Sequence, residues 1–309
     1  MKIRHLIALA CALTIGLTAC SASTAPTVAL RIGTLQTDDL LPAWVADQEG
    51  YFAKAGVNVT IQTFQSAQDQ IAAVTAGQID AIMTDMVVGI QLTAGGTPMK
   101  FVTVMQGAPA GVVAGADTGI TTAADLAGVE TGCASPTILE YIYDRALADA
   151  GVPDDQIKIT EIKMLPVRLQ MLMAGQVKAA VLPWTLFQLA VSQGAVPVVG
   201  IDQSGPYTST VLTFRQAWLD QSGSKSTVAA VLQAWDQAVG VINQDPNAQR
   251  ELLAKQANLP APLDTTYAVR TYPTSALPPA QQVQDVVDWM TAKGYLTSPL
   301  TYNDIVWQA

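Results

Sequence analysis

Two stretches decide how this chain reads: AGQIDAIM at residues 76–83 and AGQVKAAV at residues 174–181. Each follows a helical run (70–75 and 168–173) that reaches a glycine able to take the left-handed, helix-ending conformation, and each continues as a short apolar strand. The strands run into different chemistry, Thr84-Asp85 in the first and Pro183-Trp184 in the second. Ligands of open α/β sheets collect beyond the carboxyl ends of the strands, so two such ends on two similar halves predict one cleft lined from both sides.

Outward from the first unit, residues 30–35 and 57–64 read as strands, 40–48 and 67–75 as helices, 86–93 as a short helix and 99–105 as a further strand. Ser66 stands where a helix cap is needed. Strand, helix, strand, helix with short Gly-containing loops is the pattern of a mainly parallel sheet covered on both faces. Residues 106–119 break it with Gly107, Pro109, Gly111, Gly115 and Gly119, and a first crossover to another lobe is expected there.

The second series then runs through a strand at 129–133 and a helix to Ala150, with Ser135 as cap and Pro136 in the first helical position. Strands at 157–162 and 196–200 flank the second Ala-Gly-Gln unit. From Tyr207 the composition turns helical, with the best segments at 227–242, 247–257 and 279–293. The economical organisation is lobe 1 begun at 28–105, lobe 2 at 106–205, and a return to lobe 1 with C-terminal helices at 206–309. Two crossovers of this kind form a hinge that closes on a ligand.

Composition excludes several functions. The formal charge is −9, a field that repels phosphate backbones and argues against nucleic acid as a partner. His5, the single histidine, lies in the amino-terminal leader, which removes Ser-His-Asp and Cys-His catalysis and His-ligated zinc from the mature chain. No cofactor or metal site is read. Of Cys11, Cys20 and Cys133, only Cys133 belongs to the folded body, where it reads as a small core residue.

The leader itself, basic at 1–5 and apolar at 6–17, closes on Leu17-Thr18-Ala19-Cys20. It resembles a bacterial lipoprotein signal, which implies removal of residues 1–19 and acylation of Cys20 by several chains, palmitate among them. Residues 20–27 then form a small-residue tether. An ordinary secretory signal with a coincidental cysteine is the alternative.

Taken together with this lipobox, the stretches LRIGTLQTDDLLPAWVADQEGYFAKAGVNVTI, AGQIDAIMTD, SPTILEYIYDRAL and LPVRLQMLMAGQVKAAVLPW resemble ABC-importer substrate-binding proteins of the thiamine-precursor, alkanesulfonate and nitrate group. The most characteristic piece is A-x-x-x-G-Y-F-x-K-x-G-V-x-V at 46–59. The resemblance implies the two-lobed α/β periplasmic-binding-protein fold (type II), a monomer at the extracytoplasmic face of the membrane, and delivery of a small molecule to a permease driven by an ATPase. Similar enzymes that make the thiamine pyrimidine rely on histidine, so an enzyme is not expected. A sensory lipoprotein remains a further alternative.

The family layout implies ligand contacts at Gln36, Asp38, Ser66 and Asp85 in lobe 1 and at Ser135, Thr137, Glu140, Arg168 and Trp184 in lobe 2. Each has a plainer role open to it: Ser66 and Ser135 as caps, Asp38 or Asp39 as solvated loop acids, Arg168 paired with Glu140 or a surface acid, Glu140 as an exposed helical acid near Arg145, Trp184 as core. Acids beside an aromatic suit a flat, nitrogen-rich ring that donates to carboxylate and stacks on Trp184, Phe64 or Tyr207, a thiamine-precursor-like heterocycle. A sulfonate or nitrate receptor is the alternative, with anions held at the helix starts near Ser66 and Ser135.

Overall fold

The computed structural model describes residues 28–106, 110–201, 210–298 and 300–308; the leader, Cys20, the tether and Tyr207 lie outside them. Strands β1 (Val28–Leu35), β2 (Val57–Phe64), β3 (Ala81–Asp85) and β4 (Met99–Gln106) alternate with helices α1 (Leu41–Gln48), α2 (Tyr51–Lys54), α3 (Ala67–Thr75) and α4 (Met86–Ala94). The chain continues through β5 (Ala110–Ala114), β6 (Glu130–Cys133), α5 (Ile138–Asp149), β7 (Lys158–Glu161) and α6 (Leu165–Met173). After these come β8 (Ala179–Pro183), α7 (Trp184–Ser192), β9 (Val196–Ile201) and β10 (Thr210–Arg215). Six described helices complete it: α8 (Gln216–Leu219), α9 (Ser224–Gln244), α10 (Arg250–Gln256), α11 (Leu263–Thr266), α12 (Ala280–Ala292) and α13 (Tyr302–Ile305).

The strands form two five-stranded sheets, ordered β2-β1-β3-β10-β4 and β7-β6-β8-β5-β9. The duplication seen in the Ala-Gly-Gln units is therefore architectural, since β3 and β8 hold the same central position. Each is parallel to its inner neighbour (β1 or β6) and antiparallel to an inserted strand (β10 or β5).

Those inserted strands are the two that the sequence reading leaves out. It expects a crossover where β5 lies and helical composition where β10 lies. Both are buried along nearly their whole length, so neither carries the alternation that marks a half-exposed strand. Gly111 on β5 shows why a turn-forming residue sits in a sheet centre. A Cβ there would meet the Val199 carbonyl oxygen and lie 2.6 Å from a ring carbon of Phe187. Gly111→Ala is expected to cost about 3 kcal/mol in urea denaturation, because backbone of β9 must move. Its cross-strand partner Gly200, whose added Cβ would meet nothing closer than 3.7 Å, should tolerate alanine.

The two faces of the first sheet are covered differently. α1 and α9 bury Trp44, Trp235 and Val239 against β1 and β3 on one side, while Val74, Ile79, Val88 and Leu92 pack on the other. A further cluster crosses between the sheets. Met86, Val87 and Ile90 of α4, Phe101 of β4, Ile138 and Ile142 of α5, and Val283, Val287 and Met290 of α12 share one apolar core. The carboxyl-terminal segment thus ties the lobes together, and it also pairs with β4 through bridges at Val104–Ala276 and Phe101–Val306. Cys133, fully buried, is core as expected; burial pushes its thiol up to about 12. Among the described residues, no helix is long and apolar enough to cross a membrane.

Candidate functional site

Beyond the carboxyl ends of the parallel strands of both sheets lies a cavity of about 90 Å³. At one water per ~10–15 Å³ of such space it holds several waters or a small organic molecule. One wall is built by lobe 1. After β1 the chain makes a single tight turn, Asp38–Leu40, which turns Asp38 and Asp39 to the cavity.

Asp38 is buried and compensated from far along the chain. Its Oδ2 accepts from the Tyr267 hydroxyl at 2.6 Å and from Arg270 Nη2, and its carbonyl accepts from the Tyr272 hydroxyl at 2.5 Å. Asp39 is the less satisfied of the pair. It accepts from the Thr37 and Thr210 hydroxyls, yet burial, and then the charge of Asp38, push its carboxyl above the ordinary range. Nearby, Thr84 Oγ1 and Gln68 Oε1 are buried with no hydrogen-bond partner among the described residues, and both residues line the cavity.

Asp85 closes β3 and caps α4, accepting from the Val88 N–H at 2.9 Å. The N–H groups of Ile138, across the cleft in α5, and of Val87 also favour its charged form. Burial outweighs these bonds and raises its pKa to about 6.

Lobe 2 faces this acidic wall with cations. Arg168 sits in the first turn of α6, inside Pro166, and is 1% exposed. Its Nε and Nη2 donate to the Ile162 carbonyl at 2.9 and 2.7 Å, and Nη1 donates to the Val181 carbonyl at 2.8 Å. Gly132 of β6 packs beneath this side chain; a Cβ there would stand 3.1 Å from Ile162 Cδ1 and 3.4 Å from Arg168 Cγ. All three bonds go to neutral carbonyls, which leaves two of the five N–H donors uncommitted and the charge without an ion-pair partner among the described residues. Burial lowers its pKa, but a guanidinium stays charged. Lys163 lines the same wall from an exposed position.

Of the residues expected to hold ligand, Asp38, Asp85, Thr137 and Arg168 line the cavity. Six do not. Gln36 accepts from Gln65 Nε2 at 3.1 Å instead. Phe64 packs onto the Val74–Ile79 side of the first sheet. Ser66 caps α3, accepting from the Asp69 N–H at 3.2 Å and donating back to its carboxylate at 2.8 Å.

The expected Ser135 cap is corrected. α5 begins at Ile138 after the extended Thr137, whose hydroxyl donates to the Ala134 carbonyl at 2.7 Å, while the Ser135 N–H is taken by Glu161. Glu140 is buried but turned to the carboxyl-terminal segment, accepting from the Tyr295 hydroxyl at 2.7 Å with Lys293 Nζ at 3.6 Å. Trp184 is stacked on Phe187 at 4.9 Å and 8°, within the core of lobe 2, and Pro183 lines the cavity in its place.

The sequence reading misses Thr37, Gln68, Thr84, Lys163 and Thr210 in the lining, and treats Asp39 only as an alternative to Asp38. Lys163, in the loop that leads into the helix of Arg168, is the one that chain position could have revealed.

Two α/β lobes with a cavity at their strand ends make up a periplasmic-binding-protein fold. Residues 38–249 match the family model described as NMT1/THI5 like, and the chain belongs to that family. It is similar to the alkanesulfonate-binding protein SsuA from Xanthomonas axonopodis pv. citri bound to MOPS, with TM-score 0.79 and 19% identity over 92% of this chain and 100% of that one. The periplasmic aliphatic sulphonate binding protein SsuA from Escherichia coli follows at TM-score 0.74 and 21% identity, covering 91% and 92% of the two chains. The periplasmic nitrate-binding protein NrtA from Synechocystis PCC 6803 gives TM-score 0.71 and 15% identity over 88% and 83%. At these identities the likeness speaks for the fold. No curated protein sequence matches significantly.

Proposed function

We propose that this chain is a substrate-binding protein of an ABC importer that captures a small dipolar organic solute and carries out no turnover. Its ligand presents a hydrogen-bond-donating or cationic end to Asp39 and Asp38 and an acceptor or anionic end to Arg168 and Lys163. The observation that carries this reading is the facing of an acidic wall on lobe 1 by a buried guanidinium on lobe 2 that forms no ion pair among the described residues. A bound dipole would neutralise both walls, and closure around it would present the liganded form to a permease and its ATPase. Acylation at Cys20 would keep the protein at the extracytoplasmic face of the membrane as a monomer.

An aminopyrimidine still fits the acidic wall, but the stacking partners expected for it do not line the cavity. Phe64 and Trp184 are packed elsewhere, and Tyr207 lies outside the described residues. A receptor for alkanesulfonates or nitrate, the ligands of the SsuA and NrtA proteins it resembles, is favoured by Arg168 and Lys163 and opposed by the carboxylates across from them.

Calorimetry of the lipid-free protein separates these readings. Taurine or an aminopyrimidine is expected to bind at least tenfold more tightly than ethanesulfonate or nitrate; tight nitrate or ethanesulfonate binding without a preference for the dipolar ligands defeats the proposal. Asp39→Asn should weaken the dipolar ligand by about 1–3 kcal/mol, the loss of one charge-assisted bond.

A further inference from the structure

The amino terminus of a helix favours an anion through free N–H groups and the aligned peptide dipoles. Two such termini meet at this cavity, those of α4 and α5, one from each lobe. They would make the strongest oxyanion site in the cleft, with Arg168 on the adjoining wall and the unpartnered, 5% exposed Thr84 hydroxyl beside it. The place is already filled. The Asp85 carboxylate accepts from the Val88 N–H of α4 at 2.9 Å and its charge is favoured by the Ile138 N–H of α5, so that the protein's own anion stands where the two helix ends meet.

We propose that Asp85 is a specificity-determining residue that excludes free oxyanions from the cleft by occupying the joined amino termini of α4 and α5, leaving Arg168 to receive the anionic end of a ligand whose other end is a donor. This rests on the reading of the cavity as the ligand cleft of a dipolar-solute receptor. A carboxylate bonded to the first turn of α4 and facing the start of α5 is held in place by the fold, so Asp85 serves as a gatekeeper and not as the acid that grips the ligand. An incoming sulfonate would have to displace it or lie against its negative charge.

Ethanesulfonate, which has no donor end, is the probe, measured by calorimetry at pH 8 on the whole lipid-free chain. Asp85→Ser removes the charge, opens space and keeps an oxygen able to cap α4. It is expected to raise ethanesulfonate affinity at least tenfold over the parent protein. Asp85→Asn, nearly the same size, should shift it in the same direction by less, and it carries the test if the serine variant does not fold by thermal denaturation.

Unchanged or weaker ethanesulfonate binding in a folded variant overturns the proposal, as does absence of binding in both variants. The dipolar-ligand reading stands or falls on a different measurement, the preference of the unaltered protein for taurine over ethanesulfonate. The two failures are therefore told apart.

Discussion

Arg270→Met is expected to lower the free energy of unfolding by about 3–5 kcal/mol, because it strands the buried Asp38 without its counter-charge. The Asp38 side chain is 5% exposed and that of Arg270 15%, so water cannot take over the solvation that is lost. Tyr267 would remain as the only hydroxyl donor to Oδ2, and burial and the neighbouring Asp38 charge hold that phenol neutral by raising its pKa. The pair is imperfect even intact, since Arg270 Nε and Nη1 are buried without partners among the described residues. A double variant, Arg270→Met with Asp38→Asn, should therefore recover most of the loss, as replacing a whole buried pair costs far less than breaking it. Guanidinium denaturation of the four proteins in the cycle checks this; an additive pair of losses contradicts the uncompensated-charge account.

Lys293→Met tests the second buried charge cluster, at the junction of the lobes. Lys293 Nζ lies 2.8 Å from Asp144 Oδ2 and 3.6 Å from Glu140 Oε1, with the Trp289 indole N–H donating to Asp144 at 2.8 Å. Two carboxylates thus share one ammonium, and Glu140 Oε2 and Asp144 Oδ1 have no partner among the described residues. Removing the lysine is expected to cost about 3 kcal/mol at neutral pH, the low end for a broken buried pair because its own side chain is 33% exposed.

The loss should depend on pH in a stated direction. Burial raises the Glu140 pKa, and Tyr295 and Lys293 work against that rise. A carboxyl with a raised folded-state pKa contributes stability that is present below its ordinary value and is lost as pH rises through the raised one. Without Lys293 the folded value climbs further, so the deficit is largest at neutral pH and shrinks on acidification. Adding Glu140→Gln should shrink it at neutral pH and leave it unchanged where Glu140 is already protonated. Chemical denaturation of the variant at several pH values reads both effects; a pH-independent deficit removes Glu140 from the explanation.

These clusters also mark what could be read from sequence. The repeated Ala-Gly-Gln phrase disclosed β3 and β8, because a left-handed glycine followed by an apolar run is a local signal, and Gly77 and Gly175 do take positive φ. β5 and β10 were hidden since full burial erases alternation, and Gly111 mimicked a turn.

In the site, Asp38, Asp85 and Arg168 were legible from their places after strands or at a helix start. Their state was not. Nothing near Asp38 announces that Tyr267, Arg270 and Tyr272 will reach it, and nothing in Pro183-Trp184 says that the indole will stack on Phe187 one helical turn later. The flat face once expected opposite Asp85 is thus replaced by a guanidinium, which turns the preference from a stacked ring toward a dipole.

The central place of β10 in the first sheet bears on how the molecule comes into being. Lobe 2 draws its described strands from 110–201, an unbroken span, whereas lobe 1 lacks the strand between β3 and β4 until residues 210–215 exist. A nascent chain reaching only that far holds one sheet complete and the other with two apolar edges open. Completion of the first sheet therefore requires residues that follow the whole of the second in the chain.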